Sequence, residues 1–171
     1  MKTGVKIAII LIVCVAVFGC KKKDPTPVPP VITFKEAYLS QDNTYSIIKF
    51  EFYDGDGDLG LKQDENTGDR EFNLLVDYYE KVNGVWVLKS PVITYNTSEA
   101  KYDTTYLHTR IPFIENENND ALEGDMEIDL LYHPNLYLNT PQADTIRYEI
   151  ILLDRALQQS NKIVTSELII N

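Results

Sequence analysis

From Val31 onward, apolar and polar residues alternate with a period of two, in short runs bounded by turn-forming clusters. Residues 32–34 and 37–39 predict a first strand. In YSIIKFEFY, residues 45–53, Ile48, Phe50 and Phe52 share one face while Lys49 and Glu51 take the other, which predicts the second. Residues 72–82 set Phe72, Leu74, Val76 and Tyr78 on one side. Asn83-Gly84 then forms the strongest short hairpin signal, a type I′ turn. Residues 85–89 return beside that strand, and residues 91–95 are expected to continue its edge after a bulge. Another strand is expected over 102–114, stopped by the polar run at 115–120. Met126, Ile128 and Leu130 alternate with Glu127 and Asp129 in the next, and a long connection with two prolines spans 133–143. Residues 145–153 alternate Ile146, Tyr148, Ile150 and Leu152. Their other face carries Ile151 and Leu153, which predicts a central strand. Residues 163–170 close the chain as an edge strand. Seven to nine short strands without helical periodicity predict an all-β fold over 31–171. The expected architecture is an antiparallel sandwich of two sheets, with an antiparallel barrel as the alternative.

The first thirty residues read differently. Lys2 and Lys6 precede an unbroken apolar run over 7–18 that ends at Gly19-Cys20. A basic start, a short apolar core and a small residue are the anatomy of an export signal. Twelve apolar residues fall short of the roughly 20 that cross a bilayer as a helix. The cysteine directly after Gly19 resembles the lipobox of bacterial lipoproteins. That resemblance implies removal of residues 1–19, fatty acylation (palmitate) of Cys20, and a domain held to a membrane by lipid. Residues 20–30 then form a linker, KKKDPTPVPP after the cysteine, whose four prolines exclude helix and central strand. At about 3.1 Å per residue, an extended polyproline segment of this length spans roughly 30 Å. Lys21, Lys22 and Lys23 suit anionic head groups, or act as plain solvated spacing.

Charge narrows the partners. Two of the 16 basic residues lie in the leader and none of the 26 acids does, so the remainder carries a net charge of −12. Phosphate binding needs clustered Lys and Arg, which argues against nucleic acid. The balance suits divalent cations and basic partners. Cys14 lies in the leader and Cys20 takes the lipid, so the domain has no thiol, disulfide or thiolate metal site. It must hold itself by core packing, with or without a metal.

The second strand runs straight into Asp54-Gly-Asp56-Gly-Asp58-Leu59-Gly60. Calcium takes six to eight oxygens at about 2.3–2.6 Å. Alternate aspartates on a tightly curled, glycine-bearing backbone can aim their carboxylates at one point. The run resembles the opening of calcium loops such as the EF-hand. The resemblance implies Asp54, Asp56 and Asp58 as Ca²⁺ ligands one, three and five, with Glu65 at position twelve. It departs from that pattern at the sixth position, which is Leu59, and in its flanking strands. A solvated Asp-Gly turn is the competing reading. In a sandwich, the loops after the second, fourth and sixth strands gather at one end. That predicts an acidic pole joining this loop, residues 115–123 and residues 154–161. Asp120 and Asp154 are possible extra ligands, and the start of the domain lies near the same pole.

Residues 144–170 resemble the end of immunoglobulin-like and fibronectin type III-like domains, where a tyrosine early in the penultimate strand, here Tyr148, packs at a corner. Lipobox, proline tether, DGDGDLG loop and terminal strand pair together are similar to uncharacterised lipoproteins of Bacteroidota. Lys21 after the cysteine does not resemble the aspartate of inner-membrane retention, which implies the outer membrane, periplasmic or surface-facing. His108 and His133 show no partner spacing, and no HExxH, GxSxG or P-loop is present. The expectation is a lipid-anchored, non-catalytic binding or scaffold module for an unknown protein or glycan. Tyr78, Tyr79, Trp86 and Tyr95 offer either an aromatic face or cross-strand packing pairs. A carboxylate-based glycan-active enzyme and a purely structural envelope protein are the alternatives.

Overall fold

The computed structural model describes residues 27–116, 120–131 and 143–170. The leader, Cys20, the lysine triplet, His133 and most of the 133–143 connection lie outside them. The described chain is all-β: β1 Val31–Leu39, β2 Tyr45–Asp54, β3 Leu74–Val82, β4 Val85–Leu88, β5 Val92–Asn96, β6 Lys101–Thr105, β7 Leu122–Leu131, β8 Thr145–Leu152, β9 Ile163–Val164 and β10 Leu168–Ile169. One antiparallel sheet has the order β1-β2-β7. The second has the order β10-β8-β3-β4, with β9 also on β8, and β5 and β6 form a separate ribbon. Neither sheet closes on itself, so the barrel alternative is set aside.

Alternation decides which side chains meet between the sheets. Ile32, Ile48 and Phe50 from the first sheet join Leu74, Val76, Tyr78, Ile146, Tyr148, Ile150 and Leu152 from the second in one buried core. Tyr78 and Tyr148 lie side by side, ring centroids 5.5 Å apart. The Tyr148 hydroxyl reaches across to Ser46 Oγ at 2.9 Å, so this tyrosine spans both layers. Expected β8 is central, between β3 and the β9/β10 pair. Asn83 and Gly84 both take positive φ, 51° and 80°, as the type I′ hairpin requires.

Three expectations change. Residues 91–95 leave the β4 edge and pair with β6. The Tyr78 N–H is taken by the Ser90 hydroxyl at 2.7 Å, and Pro91 has no N–H with which to continue a ladder. The single strand expected over 102–114 stops at Thr105. Beyond it the chain crosses to β3, where Thr109 bridges Leu74 and His108 Nδ1 accepts the Val76 N–H at 3.0 Å. The last strand divides in two at Thr165, whose N–H donates to the Tyr148 carbonyl and whose side-chain oxygen accepts the Tyr148 N–H in place of a backbone carbonyl. The first strand is continuous, with an irregularity between Phe34 and Glu36 that re-aims Lys35.

Candidate functional site

The DGDGDLG segment is fixed by its apolar end. Leu59 is fully buried and Leu61 is nearly so. The Leu61 N–H donates to the Ile111 carbonyl at 3.0 Å, and the Phe113 N–H returns to the Leu61 carbonyl at 3.0 Å. Leucine at the sixth loop position is therefore a core anchor that holds the preceding aspartates against the end of the sandwich. Gly57, at φ +67°, allows the loop to pass close to Asn116 and Asp120. A Cβ there would lie 2.0 Å from the Asp120 carbonyl oxygen. Asn116 closes the contact, its Nδ2 donating to the carbonyls of Gly57 at 3.2 Å and Asp120 at 2.6 Å. The Arg155 N–H donates to the Asp58 carbonyl at 3.2 Å from the hairpin after β8. All three loops expected at the acidic pole meet here.

One carboxylate oxygen each from Asp54, Asp56 and Asp58 lies within 4.8 Å of the others. Asp54 and Asp154 are fully buried and Asp56 is 4% exposed. Neither oxygen of Asp54 meets a hydrogen-bond donor, nor does Asp56 Oδ1, Asp58 Oδ1 or Asp154 Oδ2. The opposite oxygens of two of these groups are held. The Val28 N–H donates to Asp56 Oδ2 at 3.0 Å, and the Gln158 N–H to Asp154 Oδ1 at 2.8 Å. Held on one side and bare on the other, these carboxylates are oriented.

Their electrostatics follow. Burial, then the charges of Asp56 and Asp58, push the Asp54 carboxyl up to about 7. Burial, reinforced by Asp58 and Asp56 and partly offset by the Gln158 amide, pushes Asp154 up to about 6. Burial also raises Asp58, with Asp56 adding to it and the backbone amides of Arg155 and Ala156 pulling the other way. Buried like charges without donors are unfavourable in the ionised state. A hard divalent cation among them removes that cost, and the all-oxygen donor set suits calcium.

Glu65 is not one of this group. Its carboxylate accepts from Arg155 Nη2 at 2.8 Å, Arg70 Nη1 at 2.9 Å and the Lys62 N–H at 2.9 Å. These partners, Arg155 first, hold it down to about 2. The twelfth position thus neutralises arginines instead of facing the aspartates, in a stretch held by the Arg110 guanidinium, which donates to the carbonyls of Lys62, Glu65, Arg70 and Glu71. Asp120 brings its backbone carbonyl to the loop and keeps an exposed side chain. Asp154, far along the sequence, is buried near Asp58 and Asp56, whose charges act on it. Two partners were not legible as such: Asn116, inside a run of acids and amides, and the Val28 amide.

The aromatic candidates divide. Tyr78 is core, whereas Tyr79 and Trp86 stack under Arg147 at 5.2 and 4.5 Å from their ring centroids. Tyr95 is exposed and pairs with Tyr102 on the ribbon, 5.0 Å between centroids. His108 is flanked by Phe72 and Tyr106. No protein-family model, curated protein or solved structure matches the chain.

Proposed function

We propose that this chain is a lipid-anchored, non-catalytic module of the bacterial cell envelope whose sandwich domain is stabilised by calcium at Asp54, Asp56, Asp58 and Asp154. The observation that carries the metal is Asp54, wholly buried with both carboxylate oxygens lacking a donor. The metal's role in this reading is structural, tying the loop after β2 to the hairpin after β8. Anchoring rests on the lipobox resemblance at Cys20, and the outer membrane on Lys21. A binding or scaffold role toward a protein or glycan is the reading for the rest of the surface.

A hydrolase reading finds less support. Paired carboxylates act across a cleft that admits substrate. Two surface concavities among the described residues, one lined by Val31, Glu51, Tyr53 and Asp125 and one by Gly68, Phe72, Leu153 and Gln159, include no aspartate of the pole. The His108 imidazole is committed to the Val76 amide.

Calorimetric titration of the calcium-free chain tests the metal. The expected result is a single ion bound, with binding lost in the Asp56→Asn/Asp58→Asn double variant. A flat titration in millimolar calcium would remove the ion from the account. Labelled palmitate incorporated by the wild type and not by Cys20→Ala is the expected result for the anchor.

The arm before β1 is coupled to the site. The Val28 N–H holds Asp56, and the Val28 side chain lies 3.5 Å from where a Cβ of Gly55 would be. An ion that fixes Asp56 also fixes the end of the tether. Hydrogen exchange at the Val28 amide is expected to slow at least tenfold on adding calcium, measured by NMR or mass spectrometry. Unchanged exchange, with calcium bound, would uncouple arm from site.

A further inference from the structure

We propose that the outer edge of β7 docks an extended segment of another polypeptide carrying Lys or Arg at alternate positions, added as a fourth strand to the β1-β2-β7 sheet. β7 pairs with β2 over ten residue pairs, from Asp54↔Leu122 to Tyr45↔Leu131. No strand among the described residues pairs with its other side. A strand of this length presents a row of backbone N–H and C=O groups to an incoming chain. Its register is fixed, because Leu122, Met126, Ile128 and Leu130 face the core.

The outward row chooses the occupant. Glu123, Asp125, Glu127 and Asp129 are all exposed and follow one another at about 7 Å, two residues of strand rise. Lys35 bridges Asp125 and Glu51, and Lys49 bridges Glu127 and Glu36. Glu123 and Asp129 have no ion-pair partner among the described residues. A second copy of β7 would set carboxylate against carboxylate, which disfavours self-pairing. A strand with cations at alternate positions meets the same row with opposite sign, and its intervening apolar residues extend the inward row. At one end of the row, a concavity of about 520 Å³ lined by Val31, Glu51, Tyr53, Glu123 and Asp125 offers the half-exposed Tyr53 ring to a terminal cation. Outside residues 21–23, the sequence has no Lys or Arg separated from another by one residue. The complementary strand therefore comes from a partner.

Two synthetic nine-residue peptides of identical composition test this on the full chain in detergent. One alternates lysine and valine, and the other carries its lysines in one block. The expected result is at least tenfold tighter binding of the alternating peptide, with hydrogen exchange of β7 amides slowed at least tenfold. The Glu123→Lys/Asp129→Lys variant, altered only at exposed positions, is expected to lose at least tenfold in affinity. Equal binding of the two peptides, protection mapping away from β7, or no binding would overturn the proposal. None of these readouts depends on calcium.

Discussion

In saturating calcium, the melting midpoint of the chain is expected to rise by about 8 °C over its value in chelator. A ligand at a hundred times its dissociation constant stabilises the native state by about 2.7 kcal/mol, and about 3 °C per kcal/mol applies to a domain of this size. The pH dependence should reverse with the ion. Without calcium, Asp54 at about 7 and Asp154 at about 6 hold protons in the native state that the unfolded chain releases near 4. The native state then binds more protons across that interval, so stability falls as pH rises from about 4 to about 7. Glu65 acts in the opposite sense. Held at about 2, it contributes stability above its unfolded value that is lost as pH falls toward 2. The calcium-free midpoint should therefore peak near pH 4–5, and calcium should move the optimum to neutral pH. Asp54→Asn separates the effects. It removes a buried charge, so it should raise the calcium-free midpoint at pH 7.5 while abolishing most of the calcium-dependent rise. A midpoint indifferent to calcium and chelator at pH 7.5 would end the metal reading.

The second large effect is Gly57→Ala, expected to destabilise the domain by about 3 kcal/mol or more. Positive φ alone costs a residue with a side chain of the order of 1 kcal/mol. At Gly57 the new Cβ would also meet the Asp120 carbonyl at 2.0 Å and Asn116 Nδ2 at 2.2 Å. One of these is backbone, so the loop has to move away from Asn116 and Asp120. A midpoint lower by about 10 °C is expected, with weaker calcium binding because the aspartates lose their frame. Gly84→Ala is the control. Its φ is +80° but nothing lies within 4 Å of the added carbon, so only the conformational cost of about 1 kcal/mol remains. Equal losses at the two positions would show that the close approach at Gly57 contributes nothing.

The strands and the aspartates were legible for different reasons. Alternation in residues 45–53 and 145–153 reports a half-buried sheet directly, since a period of two has no other stable use here. Asn83-Gly84 announced its turn because few residue pairs accept two positive φ values. The departure at Ser90-Pro91 was hidden, because it depends on a hydroxyl from residue 90 replacing a ladder bond to Tyr78. Glu65 shows the limit of spacing arguments. The twelfth position, counting Asp54 as the first, is the right count, yet Arg70 and Arg155 capture the carboxylate, and only packing puts Arg155 there.

Sequence by itself determined the alternating strands, the lack of a domain thiol, the acidic balance and the local run Asp54-Asp56-Asp58, because each is set by neighbours along the chain. Tertiary structure alone decided that Asp154 and not Glu65 is buried close to Asp56 and Asp58, that Val28 and Asn116 brace the loop, and that β7 has no strand on its acidic outer edge among the described residues. Those outcomes depend on which loops and strands the two sheets bring together. Burial and unsatisfied oxygens are properties of that meeting, not of any residue within it.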